Sequence, residues 1–186
     1  RYKLQYLYRP GLKMSDRAAL SLIDELRATA APCFSELPEY QCLVPHRSSI
    51  EDKVITIARR PDGRIGGFCS ALLLPVEGVG EVVHMGLTCV HPDDRAQGLT
   101  HRLSYKLLLN YLIKQRALRQ FWLSNVACVL SSLGSIALNF DDVWPSPYTL
   151  EGPLTTHLRV AETIDKGYRR DIAIEPTAVF DPEAFV

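Results

Sequence analysis

The chain has 186 residues, 47% of them hydrophobic, enough to bury a sizeable core in a single domain spanning 1–186. Its 21 Lys and Arg balance 21 Asp and Glu, so no net charge draws it to nucleic acid or to a membrane surface. Five cysteines (Cys33, Cys42, Cys69, Cys89, Cys128) are odd in number and form no CxxC pair, which argues against a disulfide framework or a zinc site and for a reducing, cytoplasmic setting. The histidines at 46, 84, 91, 101 and 157 make no HExxH or HxxxH pair, so no metal is expected. The longest apolar runs, such as 68–76, are far too short to cross a bilayer. The start shows no signal-peptide pattern, and its first residue, Arg1, leaves a trimmed chain or a further domain open.

Residues 2–8 read as a first strand, rich in aromatics and ended by Arg9, Pro10 and Gly11. Ser15 is placed to cap a helix in which Ala19, Leu22, Ile23 and Leu26 recur at helical spacing. Residues 32–49 hold three prolines and read as loop with a short helix covering one side of the core. Residues 54–58 and 66–74 form a hairpin around Pro61, Asp62, Gly63 and Arg64, where Pro presets φ and Gly supplies a positive φ. A turn over 77–80 leads to a strand over 81–90. Residues 99–118 give the strongest helical pattern, with Leu99, Leu103, Leu107 and Tyr111 on one stripe. A short strand over 121–125, a helix over 128–139 and a proline-rich loop over 141–153 follow. Strands are predicted over 155–161 and 171–174, with a further one over 178–180. The order describes an α/β chain built on a mixed sheet.

The chemistry concentrates between Gly86 and Leu109. A strand ends at Val90, a tight turn holds Pro92, Asp93 and Asp94, and Arg95, Ala96, Gln97, Gly98, Leu99 and Thr100 lead into the long helix. A turn entering a helix exposes free backbone N–H groups, and the helix dipole adds about half a positive charge there. Such a terminus suits a phosphate, and Gly98 lets an anion approach the backbone closely. Many strand–turn–helix units with a glycine bind nothing, so on physics alone the site stays open.

Val90, Pro92, Arg95 and Gly98 also resemble the signature V-x-P-x-x-[Q/R]-x-x-G-x-[G/A] of the GNAT N-acetyltransferases, with Thr100 departing at the last position. The resemblance covers the element order over residues 2–175. It implies the GNAT fold: a central mixed, largely antiparallel sheet, splayed between strands 4 and 5 and flanked by helices. It implies acetyl-CoA, or another acyl-CoA, as donor. The pantetheine arm would lie along Leu87, Thr88, Cys89 and Val90, and the pyrophosphate over the amides of Arg95, Ala96, Gln97, Gly98, Leu99 and Thr100. Gly86 fits either a bulge in this strand or a mere packing gap. The acceptor would be a small-molecule or peptide amine, bound by residues 32–49 and 141–168. No nucleic acid or membrane is expected, and a homodimer is compatible with the resemblance.

Direct attack by an amine needs no covalent enzyme intermediate, so Cys89 reads as a structural cysteine. His84, six residues before Val90, stands where some members of the family place a base. With an ordinary pKa near 6.5 it can take a proton around neutrality. Its alternative is a partly buried histidine satisfied by a backbone carbonyl. Glu81 is a second candidate. In an unbroken strand His84, Thr88 and Val90 share a face, a parity that a bulge at Gly86 would disturb. The family's acid, a Tyr after the fifth strand, has no counterpart: Ser135 stands in one register and Ser132 in another, and Tyr148 could reach in from the following loop. His91, His101 and Arg102 read as solvated, with His101 or Arg102 open to a 3′-phosphate contact. Trp122 and Trp144 read as packing groups. Asp141 and Asp142 are loop residues that could hold a cationic acceptor. The leading expectation is an acetyl-CoA-dependent N-acetyltransferase. Its rivals are an inactive CoA- or partner-binding module and a GNAT-fold enzyme of other thioester chemistry, such as decarboxylation.

Overall fold

The computed structural model of the chain describes residues 2–115, 121–126, 134, 137–146, 148 and 151–182. One sheet runs β1 (Lys3–Tyr8), β2 (Lys53–Arg59), β3 (Ile65–Val76), β4 (Gly80–Val90), β5 (Leu123–Asn125), in that spatial order. The first four strands pair antiparallel and β5 runs parallel to β4, which is the mixed sheet the element order predicts. β2 and β3 are buried almost throughout, and so their sequences are near-continuous apolar runs rather than alternations. The hairpin between them turns at Gly63, at φ 89°, where Arg64 N–H donates to Asp62 Oδ1 at 3.0 Å.

After a single turn, α1 (Pro10–Lys13), comes α2 (Asp16–Ala30), which Ser15 caps through its Oγ, accepting from Ala18 N–H at 3.3 Å. The α2 stripe of Ala19, Leu22, Ile23, Leu26 and Ala30 packs on one sheet face, against Ile55, Ile57 and Phe68. On the other face α3 (Leu99–Gln115) buries Leu99, Leu103, Leu107 and Tyr111 against Val54, Ala58, Cys69 and Leu73. Each such leucine contributes on the order of 2 kcal/mol of burial.

The C-terminal third differs from expectation. Residues 155–161 are not a strand but the start of α4 (Thr155–Gly167). Val160, Ile164 and Tyr168 recur every fourth residue and pack on Leu72, Leu74 and Val82. The β-branched Thr155, Thr156 and Val160 suggest a strand locally, but burial of the four-residue stripe decides the helix. Residues 171–173 are turn, and Ile174, whose N–H donates to Arg169 O at 2.9 Å, and residues 178–180 are irregular, so neither segment is a strand. Residues 32–49 carry short 3-10 turns at Gln41–Leu43 and Arg47–Ile50. The helix expected over 128–139 lies mostly outside the described residues.

Two features of β4 place the site. Its ladder with β5 pairs Val83 with Leu123, His84 with Ser124 and Met85 with Asn125, and then stops. Its ladder with β3 pairs Met85 with Ala71 but Thr88 with Cys69, so Gly86 and Leu87 together oppose Ser70. That extra residue is a bulge at the glycine where the sequence allowed one.

Candidate functional site

The turn between β4 and α3 is held from below. Asp94, 5% exposed, accepts from Arg60 Nε at 2.9 Å and from the Tyr2 hydroxyl. Burial works to raise its pKa, but Arg60 and Tyr2 outweigh it and hold the carboxyl below the usual range. A Cβ on Gly66 would come to 3.0 Å from both Asp94 and Tyr2, so a larger residue there would have to push this anchor aside. His91 N–H donates to Gly66 O at 2.9 Å and ties the turn to β3.

Beyond the anchor, residues 95–98 are exposed. Ala96 (φ 60°) and Gly98 (φ 66°) are left-handed and tilt the backbone out. Helical bonding begins only with Arg102 N–H to Gly98 O at 3.2 Å, so among the described residues the N–H groups of 96–101 find no backbone acceptor. A Cβ built on Gly98 would meet nothing within 4 Å. Arg95, Ala96, Gln97, Gly98, Leu99 and Thr100 therefore form one open turn rich in donors, at the positive end of a 17-residue helix. Leu99 offers only its amide, because its side chain is in the core; Thr100, His101 and Arg102 are exposed.

Leu87, Thr88, Cys89 and Val90 lie just upstream, past the last rung shared with β5. Their outer edge has no neighbouring strand among the described residues. The bulge splits their parity. Leu87 and Cys89 pack on the α2 face, whereas Met85 and Val90 pack on the α3 face, where Thr88 Oγ1 reaches Cys69 Sγ at 3.2 Å. His84 shares the face of Leu87, so His84 and Thr88 do not lie together as an unbroken strand would have them. Burial pushes the Cys89 thiol up to about 12, which suits a structural cysteine.

One residue at the bulge was not foreseen. Gln41, buried and left-handed at φ 47°, lays its carboxamide over Gly86. Its Oε1 accepts from Ser70 Oγ at 3.0 Å and from Leu87 N–H at 3.3 Å, and its Nε2 donates to Tyr40 Oη at 2.9 Å. A Cβ on Gly86 would come to 1.9 Å from that Oε1, so the glycine is the seat of Gln41 rather than a packing gap. A glutamine in a proline-rich loop carries no local signal for this role.

His84 is 1% exposed, and its Nδ1 lies 2.9 Å from Ser124 Oγ on β5. Across the sheet Lys53, Leu72, His84 and Ser124 form one row. Burial and the Lys53 charge lower the His84 pKa to about 4, far from the ordinary 6.5 expected from its sequence position. Glu81 lies on the opposite face, already accepting from Tyr111 Oη at 2.9 Å and from Arg9 at 2.6 Å. Tyr148 is 68% exposed in the 141–153 loop, and Ser132 and Ser135 lie outside the described residues. Trp122, Asp141, Asp142 and Trp144 line a cavity of about 470 Å³ beside β5, with the His157 ring edge-on to Trp122 at 5.4 Å.

Solved structures share this architecture. An aminoglycoside acetyltransferase, meta-AAC0020, from an uncultured soil metagenomic sample superposes with a TM-score of 0.50 at 13% identity, covering 81% of this chain and 97% of its own. The chain has the GNAT fold. AAC(6')-Iy in complex with the bisubstrate analog CoA-S-monomethyl-acetylneamine gives the same TM-score of 0.50 at 15% identity, covering 82% of this chain and 99% of its own. No protein-family model matches the chain, and no curated protein matches it by sequence. Within the GNAT fold, the parallel pairing of β4 with β5 ends at Met85, and β4 continues from there to the donor-rich turn.

Proposed function

We propose that the protein transfers an acyl group, acetyl by default, from acyl-CoA to an amine. One observation carries this: among the described residues, the edge of β4 from Gly86 to Val90 has no partner strand and runs directly into a turn whose amides from Ala96 to His101 have no backbone acceptor. An extended amide-bearing arm fits the first, and a pyrophosphate fits the second. The open space over Gly98 leaves room for the anion. Thr100, where the family signature has Gly or Ala, is exposed in the first helical turn and does not fill that space. The two structural neighbours named above are acetyltransferases, one of them solved with a CoA conjugate, which supports the same reading.

Acceptor chemistry follows from the face that His84 occupies. The loop at Gln41, α4 and Ser124 border this face, so an amine would approach there and meet the acyl carbon at the bulge. Calorimetry with acetyl-CoA tests the donor site. Binding is expected, and Gly98→Leu should weaken it by tenfold or more while far-UV circular dichroism is unchanged. Absence of binding at about millimolar acetyl-CoA, a bound free energy near only −4 kcal/mol, refutes the proposal.

A further inference from the structure

We infer that Ser124 is a catalytic residue, its hydroxyl passing a proton from the attacking amine to His84 and back to the departing sulfur. The inference rests on the acyl-transfer reading.

His84 is 1% exposed, too closed off to touch an amine in solution or in an open groove. Ser124 is half-buried and sits on β5, one rung before the ladder with β4 ends. Its Oγ is 2.9 Å from His84 Nδ1, hydrogen-bonding distance for a proton hand-over. A hydroxyl donates and accepts at once, so it can give its proton to the imidazole while taking one from a substrate. Among the described residues, the Ser124 hydroxyl is the side-chain group within hydrogen-bond reach of the buried ring.

The charge around His84 suits a shuttle more than a reservoir. Burial and Lys53, on the same row of the sheet and paired with Asp52, both disfavour the imidazolium. The ring is therefore neutral at neutral pH, with one nitrogen able to accept a hydrogen bond, and once protonated it is a strong acid. It would not strip a free ammonium, whose pKa is near that of lysine, about 10. It acts when the neutral amine has already bonded to the thioester carbon, because that nitrogen then holds its proton far more weakly.

The step balances with one proton. As the C–N bond forms, the nitrogen's N–H breaks toward Ser124 Oγ, and the Ser124 proton moves to His84 Nδ1. The C–S bond then breaks, sulfur takes the electron pair, and the proton returns by the reverse route to make the thiol. His84 and Ser124 end as they began. No separate acid is required, which fits the exposed position of Tyr148 in its loop.

The test uses the full chain, acetyl-CoA and an excess of a primary alkylamine. ¹⁵N-histidine NMR of the free protein should show His84 Nδ1 unprotonated, with its resonance moved in Ser124→Ala; an Nδ1–H tautomer overturns the relay. Thiol release should fall roughly 10²–10⁴-fold in kcat/KM in Ser124→Ala with acetyl-CoA affinity unchanged. Ser124→Thr, which keeps a hydroxyl, should recover to within about tenfold. Adding His84→Ala to Ser124→Ala should cost little more, because the two act as a unit. Release at the wild-type rate in Ser124→Ala overturns the relay alone, as does an acyl group found covalently on Ser124. Wild-type protein that binds acetyl-CoA but releases no thiol overturns the acyl-transfer reading and the relay with it.

Discussion

His84→Gln should flatten the acid limb of the protein's stability. The wild-type imidazole is buried neutral, and burial and the Lys53 charge two strands away lower its pKa to about 4. In the unfolded chain it returns to about 6.5. Between these values the unfolded state binds the extra proton, so stability falls as pH drops from 6.5 toward 4 and is unaffected by this group above 6.5. The full difference corresponds to about 3 kcal/mol, of which about 2 kcal/mol is lost between pH 7.5 and pH 4.5. Glutamine keeps a polar contact to Ser124 but does not titrate. Urea unfolding of both proteins at these two pH values isolates the effect, because the carboxylates are common to both and cancel. With a slope of roughly 2 kcal/mol per M, the wild-type midpoint should fall about 1 M more than that of the variant. Parallel losses in the two proteins would refute a buried, neutral His84.

Gly86→Ala should destabilise by about 1–3 kcal/mol, because the new methyl meets the Gln41 carboxamide, and pairing it with Gln41→Ala should recover part of that loss in a thermal-melt cycle. Asp94→Asn should cost about 3 kcal/mol by leaving Arg60 without its charge partner, read by chemical denaturation, and should weaken acetyl-CoA binding by loosening the turn. The wild-type carboxyl titrates below its usual range, so this contribution is present near neutrality and is lost as pH falls through that depressed pKa. Leu103→Ala, at a fully buried position under α3, should cost about 2–5 kcal/mol without changing which residues contact a ligand. Activity against pH should show no limb from His84 near neutrality, since its own limb lies near pH 4.

Local chemistry fixes much of this molecule. Ser15 caps α2, Gly63 turns the β2–β3 hairpin, and the stripe from Leu99 to Tyr111 commits α3 to one sheet face. The spacing of Val90, Pro92, Arg95 and Gly98 marks the donor-rich turn, because backbone exposure at a helix start depends on few residues close in sequence. What depends on distant partners is not written locally. Residues 155–167 carry β-branched side chains yet form a helix, because Leu72, Leu74 and Val82 offer an apolar face to a four-residue repeat. The parity of β4 turns on Gln41, forty-five positions before Gly86, whose carboxamide occupies the space of a missing Cβ. His84 looks from the sequence like an ordinary histidine of neutral pKa. Only the sheet sets it in a row with Lys53 and Ser124 and removes it from water, and that burial decides its charge.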